Sequence, residues 1–363
     1  MKNIFRFFGL SVTLILTAPL AHVNACTGIQ LKAKDGSFVN GRTLEFGVFV
    51  DTSAAVIPRG YGFTGTTPHG PGLPYKTKYA VLGAIAYDNV SIMDGINEKG
   101  LSAGTFYFPG FAGYAKMTEE NRSKAISPIE FVNWALTQFA TVDEVKNAID
   151  TIVIAPTVIK AWGDTPAPFH YIIYDKSGKS LVIEPIDGKL VAHDNPLGVF
   201  TNSPTFDWHM KNLRNYINLT PINAKPLNIA GVELAPFGQG SGMVGLPGDF
   251  TPPSRFVRAA IFSITAIPSK NAQEAVLQAF HILNQFDIPV GAAKTVENGI
   301  DYSDYTLLTC VKDPQSLKYY FKTYKDQTVK VVDLTKFDLD AKAIKRVNTS
   351  GKEIAVDITD TLK

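Results

Sequence analysis

Cys26 is the residue whose position in the sequence most directly suggests chemistry. It follows a stretch typical of an export signal, with a basic start at Lys2 and Arg6, an apolar run, and the small residues Val23 and Ala25 that signal peptidase reads. Cleavage after Ala25 would make Cys26 the first residue. Its free α-amine, with an ordinary pKa of roughly 7.7–8.0, could then serve as general base for its own thiol. The sequence predicts a nucleophilic cysteine in an exported protein, periplasmic or secreted.

Two other interpretations of Cys26 stay open at this point. In a lipoprotein the cysteine after the signal is acylated, and the chain would be a lipid-anchored envelope binding protein. Asn24, and the absence of leucine three positions before Cys26, fit that pattern poorly. The cysteine could also have no special role. The anchor predicts membrane fractionation and a blocked N-terminus, whereas an enzyme predicts loss of turnover in Cys26→Ser.

Composition limits the classes of function. The chain has 363 residues with 35 Lys and Arg and 33 Asp and Glu. Removal of 1–25 takes away Lys2 and Arg6 and no acidic residue, so the remaining basic and acidic side chains are equal in number. This composition has no excess of basic side chains that would attract nucleic acid or an anionic membrane. Cys26 and Cys310 are the two cysteines, too few for a disulfide framework. A single bridge between them is possible, but it would block the thiol of Cys26.

The first elements after the signal read as a β-hairpin. Asp35-Gly36 is a two-residue turn signal between strands predicted at 27–34 and 37–44. That register would bring Glu45 opposite Cys26, and would put Arg42 on the other face of the hairpin.

The rest of the chain alternates blocks of strands with pairs of helices. Further strands are predicted at 54–58, 79–87, 101–108, 169–174, 181–185, 198–201, 305–311, 317–323 and 329–333. Helices are predicted at 131–139, from 141 to about 151, from 204 to about 217, 254–266 and 271–286, several after capping boxes or prolines. This pattern favours an α+β layered fold with mostly antiparallel sheets, formed by a single domain at 26–363 after a signal at 1–25.

Five segments in order resemble one family. They are Cys26-Thr27, Gly-Arg-Thr-Leu-Glu at 41–45, Asp-Gly-Ile-Asn-Glu-Lys-Gly-Leu at 94–101, Thr-Asn-Ser-Pro at 201–204, and 246–258 with its Pro-Gly-Asp-Phe and Ser-Arg-Phe-Val-Arg. Each is weak alone, but their order and spacing are similar to the choloylglycine hydrolase family of conjugated bile acid hydrolases and penicillin V acylases. The resemblance implies an N-terminal-nucleophile hydrolase with a four-layer αββα sandwich that cleaves non-peptide amides, without metal or organic cofactor. Homotetramers are common in such families, though the chain itself carries no interface signal.

The resemblance assigns roles to individual residues. Cys26 matches the nucleophile, Arg42 and Arg255 match active-site arginines, and Asn202 matches the asparagine that donates to the oxyanion. Glu45 stands where the family usually has aspartate. Without the resemblance, the arginines would be ordinary surface or helix-start residues and Asn202 a turn former before Pro204.

Tyr107 bears on the substrate. Bile salt hydrolases carry asparagine at the matching position and penicillin V acylases tyrosine, and in both the backbone N–H completes the oxyanion hole. An aromatic wall suits a phenoxyacetyl or fatty-acyl group. The substrate is thus expected to be an acylated amine of the penicillin V type, with N-acyl homoserine lactones and conjugated bile salts as other candidates. An inactive member, its geometry lost through Glu45, is a further alternative.

The histidines show no metal-ligand spacing. A papain-like pair of Cys26 with one of them stays open as an alternative, although the sequence carries no local signature for it. His209, in a predicted helix after Trp208, is expected to be a capping or surface residue.

Overall fold

A computed structural model describes residues 25–47, 52–86, 90–160, 164–297, 300–348 and 359. The predicted export signal at 1–24 and the end of the strand predicted at 79–87 lie outside these residues. No helix of the described ranges has the length and apolar character to cross a membrane. Within the same ranges, no group of three His, Cys, Asp or Glu side chains could hold a metal ion.

Two large sheets contain most of the described strands. In spatial order, sheet A consists of β1 (Cys26–Lys32), β2 (Phe38–Phe46), β17 (Ile300–Asp313), β18 (Lys318–Thr323) and β19 (Asp326–Asp333), with β16 (Ala293–Glu297) paired to β17. Sheet B consists of β13 (Lys189–Asp194), β12 (Ser180–Ile186), β11 (Phe169–Tyr174), β8 (Ser102–Tyr107), β7 (Ile92–Asn97), β6 (Val81–Ala86), β3 (Thr52–Ile57) and β20 (Lys345–Asn348). Three small pairs are β4 (Gly62–Thr67) with β5 (Gly70–Lys76), β9 (Ala125–Ile126) with β10 (Val153–Ile154), and β14 (Leu227–Ile229) with β15 (Val232–Leu234).

The helices begin where the sequence supplies caps and prolines. They are α1 (Glu119–Arg122), α2 (Phe131–Gln138), α3 (Val142–Ala148), α4 (Phe206–Asn212), α5 (Pro252–Thr265) and α6 (Ala272–Leu283). Short 3₁₀ turns lie at Pro128–Glu130, Ile149–Thr151, Leu213–Tyr216, Ser241–Met243, Asn284–Phe286 and Leu334–Lys336. Two prolines open α5, where no intrahelical N–H bond is lost. The side chain of Asn271 caps α6 by accepting from the Glu274 N–H.

The elements stack as helices, sheet A, sheet B and helices. Helices α5 and α6 pack on β1, β2 and β17, and α2 packs on β7 and β8. The two sheets face each other, since a Cβ on Gly28 would lie 3.1 Å from the Phe106 ring. This is the αββα sandwich that the sequence predicted, and its apolar side chains form two buried clusters.

Most predicted elements are confirmed, with shifted ends. The strand predicted at 198–201 is wrong: this segment forms only an isolated bridge, in which Gly28 and Phe200 exchange both backbone hydrogen bonds. The small β4–β5 hairpin and the strands β7, β13, β16 and β20 were not predicted. Several of these carry glycines, prolines or exposed polar residues, which weaken the alternating pattern.

The register predicted for the β1–β2 hairpin is also wrong. Cys26 pairs with Leu44, and not with Glu45, and Gly28 pairs with Arg42. The turn holds three residues rather than two, because Ala33 pairs with Ser37 through its N–H at 2.8 Å and Gly36 adopts a φ of +88°. A glycine in this left-handed conformation is typical of a three-residue turn with a bulge.

This one-residue shift exchanges the faces of the two charged side chains. Gly28 faces Phe106 of sheet B, so Cys26 and Arg42 also face the space between the sheets. A Cβ on Gly41 would lie 3.0 Å from Leu283 of α6, so Gly41 and Glu45 face the helices. Arg42 therefore lies on the face of Cys26 without any bulge in β1 or β2.

Candidate active site

Cys26 begins β1 and is 5% exposed. Its backbone N donates to Oδ1 of Asn202 at 2.7 Å. In the chain as given this nitrogen belongs to the peptide bond with the buried Ala25, and cleavage there would turn it into an amine at the same position. Cys26 and Cys310 are both free thiols, and the Cys310 sulfur bonds instead to Asp94 at 3.1 Å. Cys26 is therefore not locked in a disulfide.

The side-chain amide of Asn202 bridges Cys26 and the end of β8. Its Nδ2 donates to the Tyr107 carbonyl at 2.8 Å, and its Oδ1 accepts from Cys26 N and from Nη2 of Arg255. Two donors on Oδ1 and an acceptor at Nδ2 fix the orientation of the amide. Of the two Nδ2 hydrogens, one is used by the Tyr107 carbonyl, and no described residue accepts the other.

Arg255 lies in the first turns of α5 and is 1% exposed. Its Nη1 donates to the carbonyl of Cys26 and, at 2.9 Å, to Oγ1 of Thr27, while Nε donates to the Phe250 carbonyl at 2.8 Å. Burial lowers the pKa of Arg255 to about 10, against the opposing effect of Glu45. Thr27 was not singled out in the sequence, although it adjoins Cys26 in the first matched segment.

Arg42 lies in β2, 2% exposed, between the two sheets. Its guanidinium is 3.9 Å from the centre of the Phe106 ring, and Nη1 donates to the Thr105 carbonyl at 2.5 Å. Nη2 is buried without a hydrogen-bond partner. Burial lowers the pKa of Arg42, but Cys26, Asp94 and other acidic neighbours outweigh it, so the pKa is raised overall. The side chain is a fixed cation on the nucleophile's face.

Glu45 lies on the helix-covered face of β2, 2% exposed. Its Oε1 accepts from Oγ1 of Thr306 at 3.0 Å, and its Oε2 has no partner. Burial raises the pKa of Glu45 to about 8, although Arg255 and Arg42 oppose the shift. The carboxyl is consequently largely protonated at neutral pH while Cys26 N remains a peptide nitrogen.

The pKa of the Cys26 thiol depends on three ionisable neighbours, Arg42, Glu45 and Arg255. Burial raises its pKa, Arg42 lowers it, Glu45 raises it, and the Glu45 backbone N–H and Arg255 lower it again. The net shift is upward, so the thiol needs a base to become a thiolate. An α-amine at Cys26 N would be that base.

The end of β8 presents backbone groups to the site. Phe106 pairs with His170 and the Phe108 N–H bonds to Pro168, so these groups point to β11. By alternation the N–H and carbonyl of Tyr107 point the other way, to the edge where Asn202 binds the carbonyl. The Tyr107 ring is partly buried, with its centre 6.0 Å from that of Phe169.

His209 is not the surface or capping residue that the sequence predicted. It is 1% exposed, and its Nε2 bonds to the Asn202 carbonyl at 2.8 Å. It lies one helical turn after the buried Phe206, and this spacing could have indicated an inward-facing side chain. In the part of the chain that the structure describes, no histidine hydrogen-bonds to Cys26.

Similarity to known proteins covers nearly the whole described chain. The family model of linear amide C–N hydrolases, choloylglycine hydrolase family, matches residues 26–347. A bile salt hydrolase/transferase of Clostridium perfringens is 36% identical over 323 residues, which are 88% of this chain and 95% of that protein. A crystal structure of a variant of conjugated bile acid hydrolase from the same species has a TM-score of 0.82 at 34% identity, covering 92% of this chain and all of that one. The structure of penicillin V acylase from Agrobacterium tumefaciens has a TM-score of 0.73 at 26% identity, covering 90% and 94%. The chain is therefore a linear amide C–N hydrolase and belongs to the choloylglycine hydrolase family.

Proposed function

We propose that this hydrolase is an exported amidase in which Cys26, freed by cleavage after Ala25, forms the acyl-enzyme. The observation that supports this most is the chain of contacts from Cys26 N to Asn202 Oδ1 at 2.7 Å and from Asn202 Nδ2 to the Tyr107 carbonyl at 2.8 Å. The side chain of Asn202 thus binds the nitrogen that would become the α-amine, and its Nδ2 has a second hydrogen for an oxyanion.

The bond changes follow from these positions. The α-amine of Cys26 takes the thiol proton, and the sulfur forms a bond to the amide carbonyl carbon while the carbonyl electron pair moves to oxygen. The second Nδ2 hydrogen of Asn202 and the Tyr107 N–H stabilise that oxyanion. When the C–N bond breaks, the ammonium gives its proton to the leaving nitrogen. Water then adds to the thioester, the amine accepts its proton, and the C–S bond breaks to release the acid and restore the thiol.

Arg42 and Arg255 have different parts in this account. Arg42 faces the same space as Cys26 and favours the thiolate through its charge. Arg255 holds the carbonyl of Cys26 and the amide of Asn202, so it keeps the nucleophile and the oxyanion donor at a fixed spacing. Glu45, once ionised, acts through its charge on Cys26 and on Arg255.

The substrate that we favour is an amide with an aromatic or extended apolar acyl group, as in penicillin V. Tyr107 supports it, because its partly buried ring lies at the strand end that carries the oxyanion donors. Conjugated bile salts are the second candidate, favoured by the 36% identity to a bile salt hydrolase/transferase. N-acyl homoserine lactones share the acylated amine and belong in the same screen.

A lipid-anchored binding protein does not account for the polar contacts at Cys26. An anchor needs neither the bond from Cys26 N to Asn202 nor the buried Arg255 that holds the Cys26 carbonyl and the Asn202 amide together. The equal numbers of basic and acidic side chains after residue 25 add no attraction to an anionic membrane. We therefore propose a periplasmic or secreted protein without a lipid.

The direct test is a substrate panel with the processed protein. We expect hydrolysis of phenoxyacetyl and long-acyl amides, and none by Cys26→Ala. Activity confined to glycocholate and taurocholate would overturn the substrate preference but leave the mechanism. Full turnover by Cys26→Ala would overturn the mechanism itself.

A further inference from the structure

His170 has an acceptor oxygen at each ring nitrogen. Its Nδ1 lies 3.3 Å from Oε1 of Glu184, and its Nε2 lies 3.1 Å from the carbonyl oxygen of Thr201. Both side chains have no exposed surface. Bulk water therefore does not reach the ring nitrogens of His170, and their hydrogen bonds must come from Glu184 and Thr201.

A neutral imidazole cannot satisfy both oxygens. It carries one N–H and one bare nitrogen, so one oxygen would face a lone pair. A buried contact of that kind loses a hydrogen bond and adds repulsion. The His170–Glu184 pair therefore holds one more proton than a neutral ring and a carboxylate would.

The surroundings of Glu184 decide where this proton resides. The backbone N–H of Phe206 donates to its Oε1 at 2.9 Å, and Nε2 of His193 lies 3.5 Å from its Oε2. Although burial opposes it, His170, the nearby His193 and the Phe206 N–H lower the pKa of Glu184 to about 2, which favours an ionised carboxyl with the proton on the ring.

The other charged groups around His170 act in both directions. Burial lowers the pKa of His170, and Arg42 of β2 adds to that effect, whereas Glu184 and the Thr201 carbonyl raise it. Burial has the larger effect, so the pKa of His170 is below its ordinary value overall. On the far side of Glu184, the pKa of His193 is raised by this carboxylate and by Asp207 of α4. The geometry argues for a charged His170 ring against this downward shift, because two acceptor oxygens lie within hydrogen-bond distance and a neutral ring has one N–H to donate.

We propose that His170 is a buried imidazolium, paired with Glu184, and that this ion pair is the positioning device for the oxyanion donors Asn202 and Tyr107. The proposal rests on the function proposed above. Both residues act through others and touch no substrate.

The contacts explain how the pair positions the site. His170 holds the carbonyl of Thr201, which directly precedes Asn202, and Glu184 holds the N–H of Phe206 beyond it. The ring also stacks on Phe108, with centres 4.1 Å apart and planes at 12°, and Phe108 directly follows Tyr107. One buried pair thus fixes the backbone on both sides of the oxyanion hole.

His209 is an internal reference for this argument. Its Nε2 bonds to the Asn202 carbonyl at 2.8 Å, but its Nδ1 is buried without a partner. One N–H satisfies this ring, and burial lowers its pKa to about 4. The two histidines hold neighbouring backbone carbonyls, those of Thr201 and Asn202, and should carry different charges.

The first experiment is ¹⁵N NMR of the processed protein with labelled histidine, between pH 6 and 8. We expect two protonated nitrogens on the ring of His170 and one protonated and one bare nitrogen on the ring of His209. A bare nitrogen on His170 would overturn the proposal. The NMR measurement does not depend on turnover. If the protein hydrolyses nothing in the panel, the proposed function is refuted, but the NMR spectrum still tests the charge of His170.

The second experiment tests positioning with Glu184→Gln. We expect a fall in kcat of about ten- to a hundredfold with KM changed less than about threefold, as for a small misplacement of catalytic groups. The matched control is Glu130→Gln, which removes the charge from another carboxyl that accepts backbone N–H groups, from Ser127 and Thr66. That variant should keep kcat within about twofold. Unchanged kcat in Glu184→Gln would overturn the positioning role. If this variant does not fold, the NMR spectrum of the wild-type protein still tests whether His170 is charged.

Discussion

Cys26 and Arg42 face the same space between the two sheets, although a two-residue turn would have separated them. Cys26 pairs with Leu44, and Arg42 stands two residues before Leu44 on the same face. Diagonal neighbours of this kind are about 7–8 Å apart at Cα, a distance that an arginine side chain spans. The register of one hairpin thus brings a permanent cation to the nucleophile.

Loss of Arg42 should make the thiol harder to ionise. Arg42→Met removes the largest influence that lowers the pKa of Cys26, so that pKa should rise by about one unit or more. The pH dependence of alkylation by iodoacetamide measures it. Arg258→Met is the matched control, because Arg258 is not among the charges that act on Cys26. Equal midpoints for both variants would contradict the assigned role.

Loss of Asn202 should act on the chemical step. Asn202→Ala removes one oxyanion donor, and kcat should fall about 10²- to 10³-fold with a smaller change in KM. Steady-state kinetics on the best substrate of the panel would show it. Asn215→Ala, on the exposed face after α4, should behave as wild type. A pure KM effect in Asn202→Ala would mean that the amide binds substrate and does not stabilise the oxyanion.

The side chain of Tyr107 should affect selectivity more than turnover. Tyr107→Asn keeps the backbone N–H, so we expect phenoxyacetyl amides to lose about tenfold in kcat/KM relative to glycocholate. Tyr107→Phe retains the ring and should keep the wild-type ratio. If both variants leave the ratio unchanged, the ring does not contact the acyl group.

Burial of Glu45 should make stability depend on pH when Cys26 N is a peptide nitrogen. The folded pKa of about 8 exceeds the ordinary 4.5, so this contribution is full below about pH 4.5 and is lost as the pH rises through 8. In a chain that starts at Ala25, Glu45→Gln should therefore reduce the loss of stability between pH 5 and 8 by a few kcal/mol. Urea unfolding at both pH values measures the difference. Parallel curves for the two chains would show that the carboxyl is ionised throughout.

The layered fold and most of the candidate site residues could be predicted because these residues lie within short segments that are recognisable from the sequence alone. The hairpin register was not, because Asp35-Gly36 also fits a three-residue turn, and one residue decides which face each side chain takes. His170 and Glu184 have no sequence signal: they lie on neighbouring strands in a buried environment that only the assembled sheet creates. The prediction for His209 was wrong because it followed the polarity of the side chain and not its position one helical turn after the apolar Phe206.

The central claim is that Cys26, with a free amine, carries the acyl group, and intact mass spectrometry tests it most directly. The purified protein should have the mass of residues 26–363 with an unmodified cysteine, and brief incubation with a phenoxyacetyl amide before an acid quench should add one acyl group that maps to Cys26. A retained N-terminal segment, a diacylglyceryl adduct, or an acyl group on another residue would contradict the account.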